Sequence, residues 1–446
     1  SLPSRDQTDT ALSQQVRALT QIGQVRLEQG KHAPALEAFA GAHVRALELS
    51  RRAPDDGDRL FDLSQAEYWL GLVAWRQRDL DTAERWMSAY RDRTEALVDL
   101  DASRFDWQRE VAYAYHNLAV LDDGRGRHAQ AAEAFERELA LYREWLPQHP
   151  EDTLLRFEAA NVASWLGSTN ARLGRLADAE AYFREADQGH AANQAAEPGV
   201  MAWTDNRIDT SVLLGRTLLE RGKLAQARDG LRAAAKSAAA LSRHDPDNAA
   251  WRRSHANALV NLARAELACG EPEAASMAMG EARPLLERAL AEAPEEDLAI
   301  TYFVRGLLLD AELALAAGRE PDAADALARV EAPLAGAWQR SRADALRQLL
   351  SERDQHEATL LERRGDPDAA RQRRRVALDR LLADAGGEPA FSDLALVASL
   401  QSDLGEHEAA AASLARLRRG GAEPDAPPAA CRHDSAGLPA SLRTGR

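Results

Sequence analysis

Few side chains in this 446-residue sequence have both the type and the spacing that chemistry requires. His407-Glu408 and His356-Glu357 begin like a zinc-protease helix, which needs a second histidine four residues after the first so that two imidazoles share one helix face. Neither has it, and Leu360 stands at the required place after His356. Asp122-Asp123 and Glu295-Glu296-Asp297 are adjacent carboxylates, but neighbouring residues on a helix point in different directions and do not converge on a substrate. No glycine-rich phosphate loop follows a strand, because no segment reads as a strand. No enzymatic activity, metal site or cofactor is therefore expected.

The Arg371 to Arg375 run, RQRRR, is the one strongly basic cluster, and Arg416, Arg418 and Arg419 repeat it further on. A nucleic-acid surface would interleave aromatic residues with the arginines. Here Asp366, Asp368 and Asp379 surround the run instead, so it reads as a solvated, salt-bridged helix face. The formal charge of −15 points the same way, against a nucleic-acid or anionic-membrane surface. No apolar run is free of charges long enough to span a membrane: Leu298 to Gly318 contains Arg305, Asp310 and Glu312. Cys269 and Cys431 have neither metal-ligand spacing nor disulfide-scaffold density, and they leave the redox compartment open. The chain begins at Ser1 without an apolar leader, and a cytoplasmic or periplasmic location in a bacterium is compatible with a signal or anchor lying outside it. An N-terminal effector module outside the chain would fit the same start. Only three of its 56 basic residues are lysine, a bias expected of a GC-rich genome.

What the sequence does contain is a period. In Leu166 to Ala186, Gly167, Gly174, Ala179, Phe183 and Ala186 mark relative positions 0, 7, 12, 16 and 19. Forty-eight residues on, Gly215, Gly222, Ala227, Leu231 and Ala234 hold the same places, and the next step gives Ala263, Gly270, Ala275, Met279 and Ala282. The turn marker recurs at Gly30, Arg78, Gly126, Gly174, Gly222, Gly270, Gly318, Gly365 and Gly405. Pro54, Pro150, Pro198, Pro246 and Pro294 keep the same time, with only Ala102 breaking the series, and mark where a second helix has ended, since proline cannot continue a helix interior. The small, large, small residues recur at steps of four and three and so share one helix face. Each unit should be helix, tight turn, helix, and nine such units should stack as an all-α solenoid. Trp107, Trp203 and Trp251 also share a register and are expected to be packing staples.

The Leu166-Gly167, Gly174, Ala179, Phe183, Ala186 pattern resembles the tetratricopeptide repeat signature, over roughly residues 15 to 420. The second unit departs from it with Arg78 and Met87, and the eighth with Arg374 in place of the large apolar residue. The family's usual period is about 34 residues; a period of 48 adds about two turns to each helix, giving helices of about 18 to 20 residues. The resemblance implies a right-handed α-α superhelix over residues 15–419, after a lead-in at 1–14 and before a flexible Pro/Gly/Ala-rich tail at 420–446. It also implies that the first helix of each pair lines a concave groove, at positions six, three and two before the marker small residue and one and four after it.

Carried over residue by residue, those positions include Tyr68 and Trp69 in the second unit, Tyr113, His116 and Asn117 in the third, and Asn161 and Trp165 in the fourth. Arg216 follows in the fifth, then Asn257, Asn261 and Arg264 in the sixth. Asparagines could hydrogen-bond the backbone of an extended peptide, aromatics could form pockets, and arginines could hold a carboxylate. The lysines of the family's carboxylate-clamp subgroup are absent from these positions. The repeat style, with DWQREVAYAYHNLAVL at Asp106 to Leu121, is similar to repeat regions of bacterial signalling proteins. The expected function is thus a non-enzymatic scaffold or sensor that binds a partner's extended segment. The alternative is a structural solenoid that self-associates end to end through its terminal repeats, because Phe391, Leu394, Leu396, Val397 and Leu400 leave the last pair apolar.

Overall fold

The computed structural model describes residues 8–341, 343–383, 389–424 and 431. Among these residues all regular structure is helical, in nine consecutive pairs. The pairs are α1 (Asp9–Glu28) with α2 (His32–Arg52), α3 (Gly57–Arg76) with α4 (Leu80–Leu100), and α5 (Phe105–Gly124) with α6 (His128–Trp145). Next come α7 (Thr153–Arg172) with α8 (Leu176–Ala196), α9 (Met201–Glu220) with α10 (Leu224–His244), and α11 (Ala249–Ala268) with α12 (Pro272–Glu292). The series ends with α13 (Asp297–Ala316) and α14 (Glu320–Ser341), α15 (Asp344–Arg363) and α16 (Pro367–Ala383), and the shorter α17 (Leu394–Asp403) and α18 (His407–Arg419). Most helices run 20 or 21 residues, about six turns, as a 48-residue unit requires. None is long and apolar enough to cross a membrane.

All nine turn markers stand in the left-handed backbone region, where L side chains are disfavoured and glycine is not. Each closes its helix in the same way. In the third pair the Gly126 N–H donates to the Asp123 carbonyl and the Arg127 N–H to the Asp122 carbonyl, which satisfies carbonyls the helix end would leave bare. Arg78, at φ 62°, is the non-glycine exception; its N–H donates to the Trp75 carbonyl and the Asp79 N–H to the Ala74 carbonyl, the equivalent bonds. Its strain leads to a prediction: Arg78→Gly should stabilise the chain by about 0.5–1 kcal/mol, the left-handed penalty less the added backbone entropy of glycine. Urea unfolding followed by circular dichroism checks this, and an unchanged or lower midpoint would contradict it.

The two helices of each pair meet through the small and large residues of the signature. A Cβ on Gly167 would lie 2.7 Å from the Phe183 ring, and one on Gly215 would lie 2.5 Å from Leu231, so only glycine allows this approach. Trp107 is buried and its ring fills the space beside Gly57. Trp203 and Trp251 are half-buried, Trp203 tilted against Phe157 at 5.2 Å, so this register serves packing.

The chain divides into two compact units, one up to Leu155 and one from Arg156. The first contains α1 to α6, with Leu12, Val16, Ala42, Leu49, Leu63 and Leu97 in one core cluster. In the second, a continuous apolar core runs from α9 to α15. Odd-numbered helices of this unit also pack on one another: α9 on α11, α11 on α13, and α13 on α15. The side on which successive pairs approach most closely is the inside of a curve, so the odd helices form the inner face.

The last pair of the second unit returns to the turn of the fourth. Phe391 and Leu394 pack with Leu176, Leu417 and Ala422, and the Leu176 N–H donates to the Gly420 carbonyl at 3.1 Å. The following backbone reaches α9, where the Glu423 N–H donates to the Glu220 carbonyl at 2.8 Å. Cys431 is disulfide-bonded to Cys269, with Cα atoms 5.5 Å apart. Residues 420–424 and 431 thus touch the turns of three successive pairs. The rest of the tail expected to be flexible lies outside the described residues, as do residues 1–7 of the expected 1–14 lead-in, whose second half is the start of α1.

Arg374 and its neighbours show how a pair manages without its large apolar plug. Arg374 is buried and pairs with Glu362 at 2.7 Å and Asp403 at 3.3 Å. Arg373 reaches Glu357 at 2.9 Å and Arg375 reaches Glu406 at 2.5 Å, so the RQRRR run is an ion-paired helix face.

Candidate functional site

The groove residues of the first unit are occupied by their own surroundings. Trp69 stacks on Phe39 with ring centroids 5.3 Å apart, and Tyr68 packs on Trp69 and Tyr90. The Tyr113 hydroxyl accepts from Arg109 at 2.6 Å, and the Asn117 amide donates to the Tyr113 carbonyl at 2.7 Å. His116 Nδ1 lies 3.1 Å from the buried Glu138 carboxylate, with its ring edge-on to Phe135. Each of these five residues has a partner that orders it without a ligand.

The second unit differs. Trp165 is exposed and Asn161 half-buried on α7, and the Asn261 amide donates to the Asn257 carbonyl and side-chain oxygens at 2.8 and 3.0 Å. Arg216 of α9 and Arg264 of α11 lie close enough to Arg305 of α13 to act on it electrostatically. Burial, with these two neighbouring cations, pulls the Arg305 guanidinium down to about 10. Arg264 approaches Glu352 of α15 only at 3.8 Å, and among the described residues Arg216 and Arg305 have no ion pair or hydrogen bond.

Two helical turns before Arg216, burial and the adjacent Asp205 push the Asp209 carboxyl up to about 6. Burial raises Glu220 and Tyr302 and lowers His356, whose charged form Glu312 and Glu352 favour. Asp209, Arg216 and Glu220 are nevertheless open to solvent. A side chain that water can reach but protein surrounds on most sides belongs to a concave surface. Alongside Arg264 a cavity of about 530 Å³ is bounded by Leu219, Leu267 and Leu309 on the odd helices and by Phe391 and Leu417 of the closing pair.

Arg305, Glu312, Glu352 and His356 were absent from the sequence-based set, yet the register that selected Arg216 and Asn257 selects them too. In the seventh unit the marker is Ala311 and in the eighth Ala358, and the positions six before, two before and one after fall on these residues. Tyr302 lies off the register and needed the structure.

No family model and no curated protein matches the chain by sequence. Solved structures do match. The apo form of RapI aligns over 87% of this chain and 90% of its own, with a TM-score of 0.55 at 11% identity. Aspartyl phosphate phosphatase F from Bacillus subtilis aligns over 93% of this chain and 94% of its own (TM-score 0.50, 12% identity), and the apo form of the quorum sensor NprR from B. thuringiensis over 92% and 97% (TM-score 0.50, 12% identity). At these identities the likeness is one of fold. By its 48-residue pairs, its left-handed turns and these neighbours, the chain is a tetratricopeptide-like helical-repeat protein.

Proposed function

We propose that the chain is a peptide-binding scaffold or sensor of a bacterial signalling or regulatory system, and that the inner face of its second unit holds an extended segment of a protein partner. The observation that carries this reading is that on the inner-face helices α9 and α13 the solvent-facing Arg216 and the half-buried Arg305, whose guanidinium burial desolvates, make no ion pair or hydrogen bond among the described residues. Desolvated charge without a partner lowers stability, and a ligand that supplies the missing bonds recovers that loss on binding. Asn257 and Asn161 add amide groups that can pair with a peptide backbone. That one neighbour of the same fold is named a quorum sensor supports a sensing role.

End-to-end assembly has less support. Phe391 and Leu394 are covered by Leu176, Leu417 and Ala422, while Val397 and Leu400 pack on Ala377, Leu378 and Leu381. The apolar residues of the last pair are thus taken up within the unit.

The test uses phage-displayed random 12-residue peptides. Clones that the wild-type chain retains should lose at least tenfold in retention by Asn161→Ala/Asn257→Ala, with helicity unchanged. Equal retention by the two proteins would remove the inner face as the site.

A further inference from the structure

The chain's two cysteines stand 162 residues apart, and the fold joins them at the edge of the cavity. Cys269 caps the C-terminal end of α11, and its disulfide to Cys431 is buried against Leu219, Leu224 and Ala268. Those three residues also line the cavity of about 530 Å³, whose wall further includes Ala422, Glu423 and Pro424. The bond thus fastens a segment that closes part of the cavity.

Little else fastens it. Residues 420–422 close α18 with their own hydrogen bonds, the Gly421 N–H donating to the Arg418 carbonyl and the Ala422 N–H to that of Leu417. Beyond them, among the described residues, one backbone hydrogen bond, from the Glu423 N–H to the Glu220 carbonyl, and the disulfide attach the chain to α9 and α11. A single amide bond in competition with water contributes little, so the covalent link decides whether the segment stays. With that link intact, the seven steps from Pro424 to Cys431 keep Pro424 within about 25 Å of its anchor.

The reduced state is also provided for. The Cys269 sulfur lies 3.9 Å from the Leu224 carbonyl oxygen, an acceptor ready for its S–H. The carbonyl end of α11 disfavours a thiolate there, so the thiol is the reduced species. A disulfide whose reduced form is stabilised in place is more readily reduced than one whose thiols are left without partners. No third cysteine in the chain competes for either sulfur, so the pair can open and re-form without scrambling.

We propose that Cys269–Cys431 is a reversible modification site, a redox latch that holds Glu423 and Pro424 against the cavity when oxidised and opens the cavity to small apolar molecules when reduced. A dithiol reductant performs the step: its two thiols become a disulfide, the bond between the cysteine sulfurs breaks, and two electrons and two protons pass to the chain, leaving a thiol on each cysteine. Glutathione disulfide reverses it, taking up the same electrons and protons as two glutathione thiols.

The experiment treats the folded, oxidised chain with excess dithiothreitol and then with glutathione disulfide, counting thiols by alkylation and mass spectrometry. Reduction without denaturant should leave helicity unchanged and speed hydrogen exchange over residues 420–424 by roughly tenfold, with residues 8–155 as the unaffected reference. Nile red suits the cavity as a neutral apolar probe, because the lining sets Glu220, Glu312 and Glu423 against one arginine, Arg264. Its fluorescence should rise roughly threefold on reduction, and glutathione disulfide should restore both readouts. Cys431→Ser should show the reduced behaviour in every buffer. A bond that dithiothreitol reaches only in urea, or a reduction that also unfolds the helices, would make the disulfide a structural staple and overturn the latch. So would a reduced chain whose exchange and dye binding match those of the oxidised one.

Discussion

Replacing Asp354 by alanine should destabilise the second unit by about 3 kcal/mol, the largest effect expected of a single substitution. Asp354 is fully buried on α15 and receives Arg353 at 2.6 Å, Arg380 of α16 at 2.8 Å and Arg373 of α16 at 3.8 Å. Removing the carboxylate leaves three guanidinium groups facing one another with nothing to neutralise them. The arginines are partly solvated and can turn outward, which places the expected cost at the lower end of the range for a broken buried ion pair. Around this centre the seam is polar: Ser351 accepts from Arg380 at 3.2 Å, and buried Arg347 pairs with buried Asp393 at 3.0 Å. The urea midpoint measures the overall loss, and hydrogen exchange over residues 344–383 shows where it falls. A cost under 1 kcal/mol, or unchanged protection across that segment, would show that apolar contacts alone hold these helices.

The second large effect is a loss of stability in mild acid that passes through His190. Its side chain is buried in α8 near the Phe157 ring, and Nδ1 has no hydrogen-bond partner. Burial pushes the imidazole down to about 4, assisted by Arg207 and opposed by Asp187. The sign follows from which state takes the proton. Between pH 6.5 and 4 the unfolded chain protonates this histidine and the folded chain does not, so stability present above pH 6.5 is lost as pH falls through this window. The full difference is about 3 kcal/mol. Asp209 acts in the opposite sense: its raised carboxyl favours the folded state at low pH and loses that contribution as pH rises through about 6. Comparison with His190→Leu isolates the histidine. The variant should gain about 3 kcal/mol relative to wild type between pH 7 and pH 4 in urea titrations, and parallel pH profiles for the two proteins would exclude His190 as the source.

How much of this was legible beforehand depends on how far each cause reaches along the chain. The turn markers were readable because their cause is local: a helix that must stop and reverse needs a left-handed residue, and every one of the nine marked positions adopts that conformation, Arg78 included. Helix length followed from the period, and the packing of Gly167 on Phe183 from the spacing of small and large residues. The candidate site was legible as a register and not as a surface. Tyr68, Trp69, Tyr113, His116 and Asn117 satisfy the same rule as Arg216 and Arg264, yet neighbours already engage them, Tyr113 and Asn117 within their own helix and Trp69 and His116 from the adjoining one.

The sequence by itself determined the array: its period, its turns, its helix lengths and the face on which each pair packs, because these rest on interactions within about fifty residues that recur nine times. Only the tertiary structure decided that the last pair returns to the turn at Leu176, that Cys431 meets Cys269, and that Arg216, Arg264 and Arg305 gather beside a walled cavity. These contacts join residues several repeats apart. Their formation depends on the small angle between successive pairs accumulated over the whole unit, a quantity that no local pattern of residues encodes.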